Sequence, residues 1–120
     1  MEDREIHQRL KEFAIAIIQL AQTLPPAKGA FRIADQLVGS GTSPAANARE
    51  ADAARSRLEF TSCMGIALKE MREVELWLEI ILALTWGDQK RGEQLLRKSR
   101  ELGRILGKII INTKANAQPK

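Results

Sequence analysis

The chain has no tyrosine, one histidine, His7, and one cysteine, Cys63. A single thiol cannot close an internal disulfide. One thiol with one imidazole furnishes neither a multi-cysteine zinc site nor a histidine-based proton relay. Aromatic residues are scarce as well, only Phe13, Phe31, Phe60, Trp77 and Trp86, and the rest is dominated by Ala, Leu, Ile, Glu, Lys and Arg. That composition argues against a sandwich or barrel and for helices. Long apolar runs are missing too. The longest, 13–18 and 80–84, fall far short of the roughly 20 residues that span a bilayer, and the charged opening MEDREIHQRLKEF is unlike a secretion signal. With the unpaired thiol, these absences predict a cytoplasmic protein that uses no membrane and no cofactor.

What is present is enough for one core. At 120 residues with 44% apolar and 28% charged, the chain suits a single domain over residues 1–112, followed by a disordered basic tail at 113–120. The net charge of +4 is unevenly spread. Residues 1–89 hold 10 Lys and Arg against 13 Asp and Glu, and residues 90–120 hold 9 against 2, giving balances of −3 and +7. The excess positive charge therefore lies in the last quarter, which points to a polyanionic partner, to an acidic protein face, or to a solvated helix.

Apolar residues Ile6, Leu10, Phe13, Ile17, Ala21 and Leu24 recur every three or four positions and predict a first helix ended by Pro25 and Pro26. Ile15 and Ile18 fall outside that stripe and widen the apolar arc, as on a helix that either sits deep in the domain or meets another subunit. Phe31, Ile33 and Leu37 lead into Gly39-Ser-Gly-Thr-Ser-Pro-Ala-Ala-Asn47, which reads equally as a loop or as helix with a smooth face; Ala45–Arg57 is good helix former. The strongest periodicity, from Phe60 through Met64, Ala67, Met71, Val74, Leu78 and Ile81 to Thr85, predicts a long central helix over 57–86. Gly87 serves as its stop and Asp88 caps the next helix, making the two antiparallel neighbours. A fourth helix over about 89–112 buries Leu95, Leu102, Leu106 and Ile109 or their neighbours, and the spacing of Gly103 and Gly107 suggests close backbone contact.

Three constellations bear on chemistry. Gln36, Ser43, Asn47 and Glu50 form a polar strip on helix two, suited to fixing register within the bundle or between subunits. Glu70, Glu73 and Glu79, with Glu59, suggest a metal site, but the other helices offer only Glu5, Glu12, Glu93 and Glu101. The acids are better read as a solvated or intersubunit face, and no metal is expected. On helix four Arg97, Arg100, Arg104 and Lys108, with Lys98 beside them, make one basic edge. Such an edge neutralises phosphates without reading sequence, and the lack of exposed aromatics argues against base stacking. Four phosphate contacts would give a log–log salt slope of about −3.6 on duplex DNA and about −2.8 on single strands. Cys63 lies within the helix-three pattern and His7 near a frayed start, so neither suggests nucleophilic catalysis; the chain is expected not to be an enzyme.

The residues Gln36-Leu37, Ser40-Gly41-Thr42-Ser43, Ala46-Asn47, Arg49-Glu50-Ala51, Ala54, Ser56, Phe60, Ala67-Leu68-Lys69-Glu70, Glu73 and Trp77-Leu78-Glu79 resemble the bacterial four helix bundle family, also called 23S rRNA intervening sequence proteins. That family usually carries Val or Ile at the position of Pro44 and an aromatic or Ile at that of Ala48. The resemblance implies an all-α, antiparallel up-down four-helix bundle assembled into a homo-oligomer, a pentamer by preference, with residues 30–57 as one long helix. It also implies kinship with the accessory variability protein of diversity-generating retroelements, hence a nucleic-acid partner, RNA or DNA, and a reverse transcriptase. The family name describes where such genes lie, not an activity.

Overall fold

The structure, a computed structural model, describes residues 3–116. These form four helices, α1 (Asp3–Ala21), α2 (Lys28–Asp52), α3 (Arg57–Ala83) and α4 (Gln89–Asn116), in a body of 55 × 21 × 20 Å. Each helix packs on the next in sequence, and α1 meets α4 along the sparsest edge; α1 and α3 stand across the diagonal of the bundle from each other, as do α2 and α4. No helix is long and apolar enough to cross a membrane among the described residues. One core runs through all four: Ile6, Leu10, Phe13 and Ile17 from α1, Leu37 and Ala48 from α2, Met64, Met71, Val74, Leu78 and Ile81 from α3, and Leu95, Leu102 and Leu106 from α4.

The helix boundaries correct several expectations. α1 ends at Ala21, three residues before the prolines, where Thr23 Oγ1 donates to the Leu20 carbonyl at 2.7 Å. The run 39–47 is helix throughout, with Pro44 buried inside it. The proline removes one backbone donor, but its ring fills core volume, and burial offsets the missing bond. Helix α2 nevertheless stops at Asp52, not Arg57. Ser56 instead caps α3, its Oγ accepting from the Glu59 N–H at 3.1 Å, which satisfies one of the first-turn donors that have no acceptor within the helix. Helix α4 runs on to Asn116, so Thr113–Asn116 belong to the helix and not to a tail; 117–120 lie outside the described residues.

Gly87 is not the residue that ends α3. The Trp86 N–H reaches the Ile81 carbonyl at 2.9 Å and the Thr85 N–H reaches that of Leu82 at 3.1 Å, the two bonds of a Schellman ending, with Thr85 in the left-handed position at φ 58°. A β-branched side chain there costs about 1–2 kcal/mol. Thr85→Gly is therefore expected to stabilise the fold by about 1 kcal/mol, read as a higher urea midpoint at unchanged slope; an unmoved midpoint would refute the strain. Gly87 turns the chain two residues later, at φ 74°, and a Cβ there would lie 2.7 Å from Thr23 Oγ1. Asp88 does cap α4, as expected, accepting from the Arg91 N–H at 3.1 Å.

Gly103 and Gly107 are also not where a neighbouring helix crowds a glycine most closely. A Cβ at Gly103 or Gly107 would sit 3.8 Å from Met71 or 3.9 Å from Leu68, ordinary contact. The tight positions are Gly41, where a Cβ would come within 2.7 Å of Ile17, and Gly92, at 3.0 Å from Leu82.

Candidate nucleic-acid interface

The basic residues of α4 are all exposed, but they divide by partner. At 100° per residue, Arg97, Arg104 and Lys108 lie within about 40° of one another around the axis, opposite the core line of Leu95, Leu102 and Leu106. Arg100 leans toward α3. Its Nη2 donates to Glu79 Oε2 at 3.1 Å and its Nε to Glu75 Oε2 at 3.4 Å. Lys98 leans the other way and approaches Glu101 at 3.4 Å, which also takes Arg9 of α1 at 2.9 Å. The Arg9 hydrogen bond and charge, with Lys98, hold the Glu101 carboxyl below the usual carboxylate range. The expected single edge is thus a row of three, Arg97, Arg104 and Lys108, which make no ion pair among the described residues, flanked by two cations already engaged.

Two of the helix-three acids are spent in these pairings. Glu75 and Glu79 hold Arg100, and Glu59 accepts from the Arg55 N–H at 3.3 Å. Partial burial, followed by the charge and hydrogen bond of Glu73, pushes the Glu70 carboxyl up. A carboxyl that binds its proton more tightly folded than unfolded stabilises the fold at low pH, and that contribution is lost as pH rises through the raised pKa. Among the described residues no three His, Cys, Asp or Glu side chains gather as metal ligands.

The polar strip is turned inward on itself. Asn47 Nδ2 donates to the Ser43 carbonyl at 3.0 Å and to Ser43 Oγ at 2.9 Å, bonds within α2 and not across to a neighbour. Gln36, Ser43 and Asn47 are half-buried, and Glu50 is exposed at the end of the strip.

Three features escaped the sequence. His7 is not at a frayed end: half-buried in the second turn of α1, its Nε2 lies 2.6 Å from Asp52 Oδ2. With Gln8 and Arg49 this pair lines an open groove of about 400 Å³. Its Nδ1 is buried with no partner among the described residues, so it is not open to a substrate. Along the outer side of α3, Leu58 is 77% exposed and Ile66, Leu76 and the C-cap Leu84 about half so, interleaved with exposed Lys69 and Arg72, while Ile15 and Ile18 stand out on α1. Finally, Phe31 is 61% exposed, contrary to the expected lack of an outward aromatic.

Comparison with known proteins places this arrangement. A family model described as 23S rRNA-intervening sequence protein matches residues 2–108. A crystal structure at 1.70 Å of a protein of unknown function from the S23 ribosomal protein family of Bacteroides thetaiotaomicron VPI-5482 is 35% identical. It superposes with a TM-score of 0.83, over 92% of this chain and 98% of that one. A comparison with the curated proteins found no match. The four helices, the shared motif and a match over nearly the whole length agree: the chain belongs to the 23S rRNA-intervening sequence protein family.

Proposed function

We propose that the chain is a non-enzymatic, homo-oligomeric scaffold, an antiparallel up-down bundle whose α4 surface contacts nucleic acid. The observation that carries the reading is the row Arg97, Arg104 and Lys108, exposed and without ion pairs among the described residues. Cations that carry no internal partner release counterions when they meet phosphates, whereas Arg100 would first have to leave Glu75 and Glu79. The up-down course is supported by the way ends meet. His7 near the start of α1 bonds Asp52 at the end of α2, and Arg57 at the start of α3 reaches the Asn116 carbonyl at the end of α4.

Assembly is supported by two groups of exposed apolar side chains on diagonally opposed helices, Ile15 and Ile18 on α1, and Leu58, Ile66, Leu76 and Leu84 on and just after α3. Two separate faces suit a head-to-tail contact, which closes into a ring. Five subunits is the number the family resemblance implies. In a ring the α4 row repeats in every subunit and modest contacts become avid. The same resemblance makes a nucleic-acid enzyme such as a reverse transcriptase the protein partner.

Light scattering at micromolar concentration is expected to return five times 13.4 kDa; a monomer would overturn the assembly. Binding titrated against salt is expected to give a slope of about −2.7 per engaged subunit on duplex DNA and about −2.1 on single strands, three phosphates at roughly −0.9 and −0.7 each. Absence of binding at low salt would leave a scaffold that holds proteins alone.

A further inference from the structure

We propose a second nucleic-acid contact at the other end of the sequence charge map: Phe31 stacks on an unpaired base of a single strand while Lys28 and Arg32 hold the flanking phosphates. The inference rests on the nucleic-acid reading of the chain but not on the α4 row. Of the five aromatic side chains, Phe13 is buried, Phe60, Trp77 and Trp86 are half-buried, and Phe31 alone is exposed. Its helical neighbours Lys28, Arg32 and Asp35 are all exposed and charged, so the ring stands among charges. A second copy would need a contiguous apolar patch there.

The surroundings are electropositive. Lys28 and Arg32 make no ion pair among the described residues. The α2 N-cap, Ala27, supplies no side-chain bond, and neither α2 nor α4 has an acid in its first turn. The packing also brings the start of α4 to this end. A Cβ at Gly29 would lie 3.4 Å from the Trp86 ring, and the Asp88 N–H donates to Thr23 Oγ1 at 2.9 Å. Exposed Lys90 and Arg91 stand at the same end of the bundle on the start of α4, Arg91 over the groove it lines with Arg9 and Glu12 of α1. The carboxylates at this end are Asp35 and Asp88, with Glu12 facing Arg91. An exposed aromatic with cations beside it is the arrangement by which proteins hold single strands without reading sequence.

The test uses the full-length protein with a 12-nucleotide oligo(dT) or oligo(U) and a 12-base-pair duplex, binding being read by anisotropy. Phe31→Ala is expected to weaken single-strand binding between about 5- and 150-fold, to leave duplex binding and its salt slope unchanged, and to be rescued by Phe31→Trp but not by Phe31→Leu. Wild-type affinity of Phe31→Ala for single strands would overturn this proposal and leave the α4 reading standing. Loss of single-strand binding in Phe31→Ala by a wild type that ignores duplex would do the reverse. A change in oligomer mass in Phe31→Ala would make the ring a subunit contact and overturn the stacking role. At 61% exposure the ring contributes little to the core, so helicity should not move in any of the variants.

Discussion

Replacing Arg97, Arg104 and Lys108 together by Gln is expected to remove nearly all of the salt dependence of duplex binding. A slope of about −2.7 weakens the wild type some 40-fold between 50 and 200 mM salt; with the row neutralised, the residual slope should approach zero. Glu at the same three positions adds repulsion to the loss and should weaken binding by about 100-fold or more at low salt. Neither variant should lose helicity or mass, because all three side chains are exposed and none holds another residue in place. Arg100→Gln is the decisive companion. Since Arg100 is held by Glu75 and Glu79, its loss should leave the slope where it was and cost the fold only about 0.2–1 kcal/mol, the range of exposed ion pairs. A wild-type slope near −3.6 that falls to −2.7 in Arg100→Gln would instead put Arg100 on the phosphates and break the division drawn above.

Two glycines a half-turn apart on α2 should respond in opposite directions to the same added methyl. At Gly41 the new Cβ would lie 2.7 Å from Ile17 Cγ2 and 3.0 Å from its Cβ and Cγ1. Ile17 is fully buried, and its Cβ is tied to the α1 backbone, so no change of rotamer clears the clash and α1 must move off α2. Overpacking of this kind costs about 1–3 kcal/mol, against which the better helix propensity of Ala returns at most about 1. At Gly39 a Cβ meets nothing within 4 Å, and the gain in propensity stands alone at about 0.5–1 kcal/mol. Chemical denaturation should therefore show Gly41→Ala less stable and Gly39→Ala more stable than the wild type. Equal midpoints for the two variants would mean that α1 and α2 do not approach as closely as Gly41 allows.

Three of the helices, the two end stretches of α2 and most of what they bury are local properties of the chain. Ile6, Leu10, Phe13 and Ile17, and Met64 through Ile81, were legible because a 3.6-residue repeat is a local property of the chain; so was the cap at Asp88. The sequence also located the positive charge in α4 and the wider apolar arc that Ile15 and Ile18 give α1. The run 39–47 was not legible, since Gly, Ser and Pro have turn-forming propensity and only burial against α1 and α3 makes Pro44 worth keeping within a helix. Nor was the division of the basic edge. Spacings of three and four put Arg100 and Arg104 on one edge of an isolated helix, but α3 lies on one flank of that edge and its Glu75 and Glu79 capture the residue that leans toward them. Pairing across helices depends on which faces are brought together and at what height. The same holds for His7 with Asp52, 45 positions apart, and for Phe31, whose exposure follows from the way α2 packs, and no periodicity within a single helix records either.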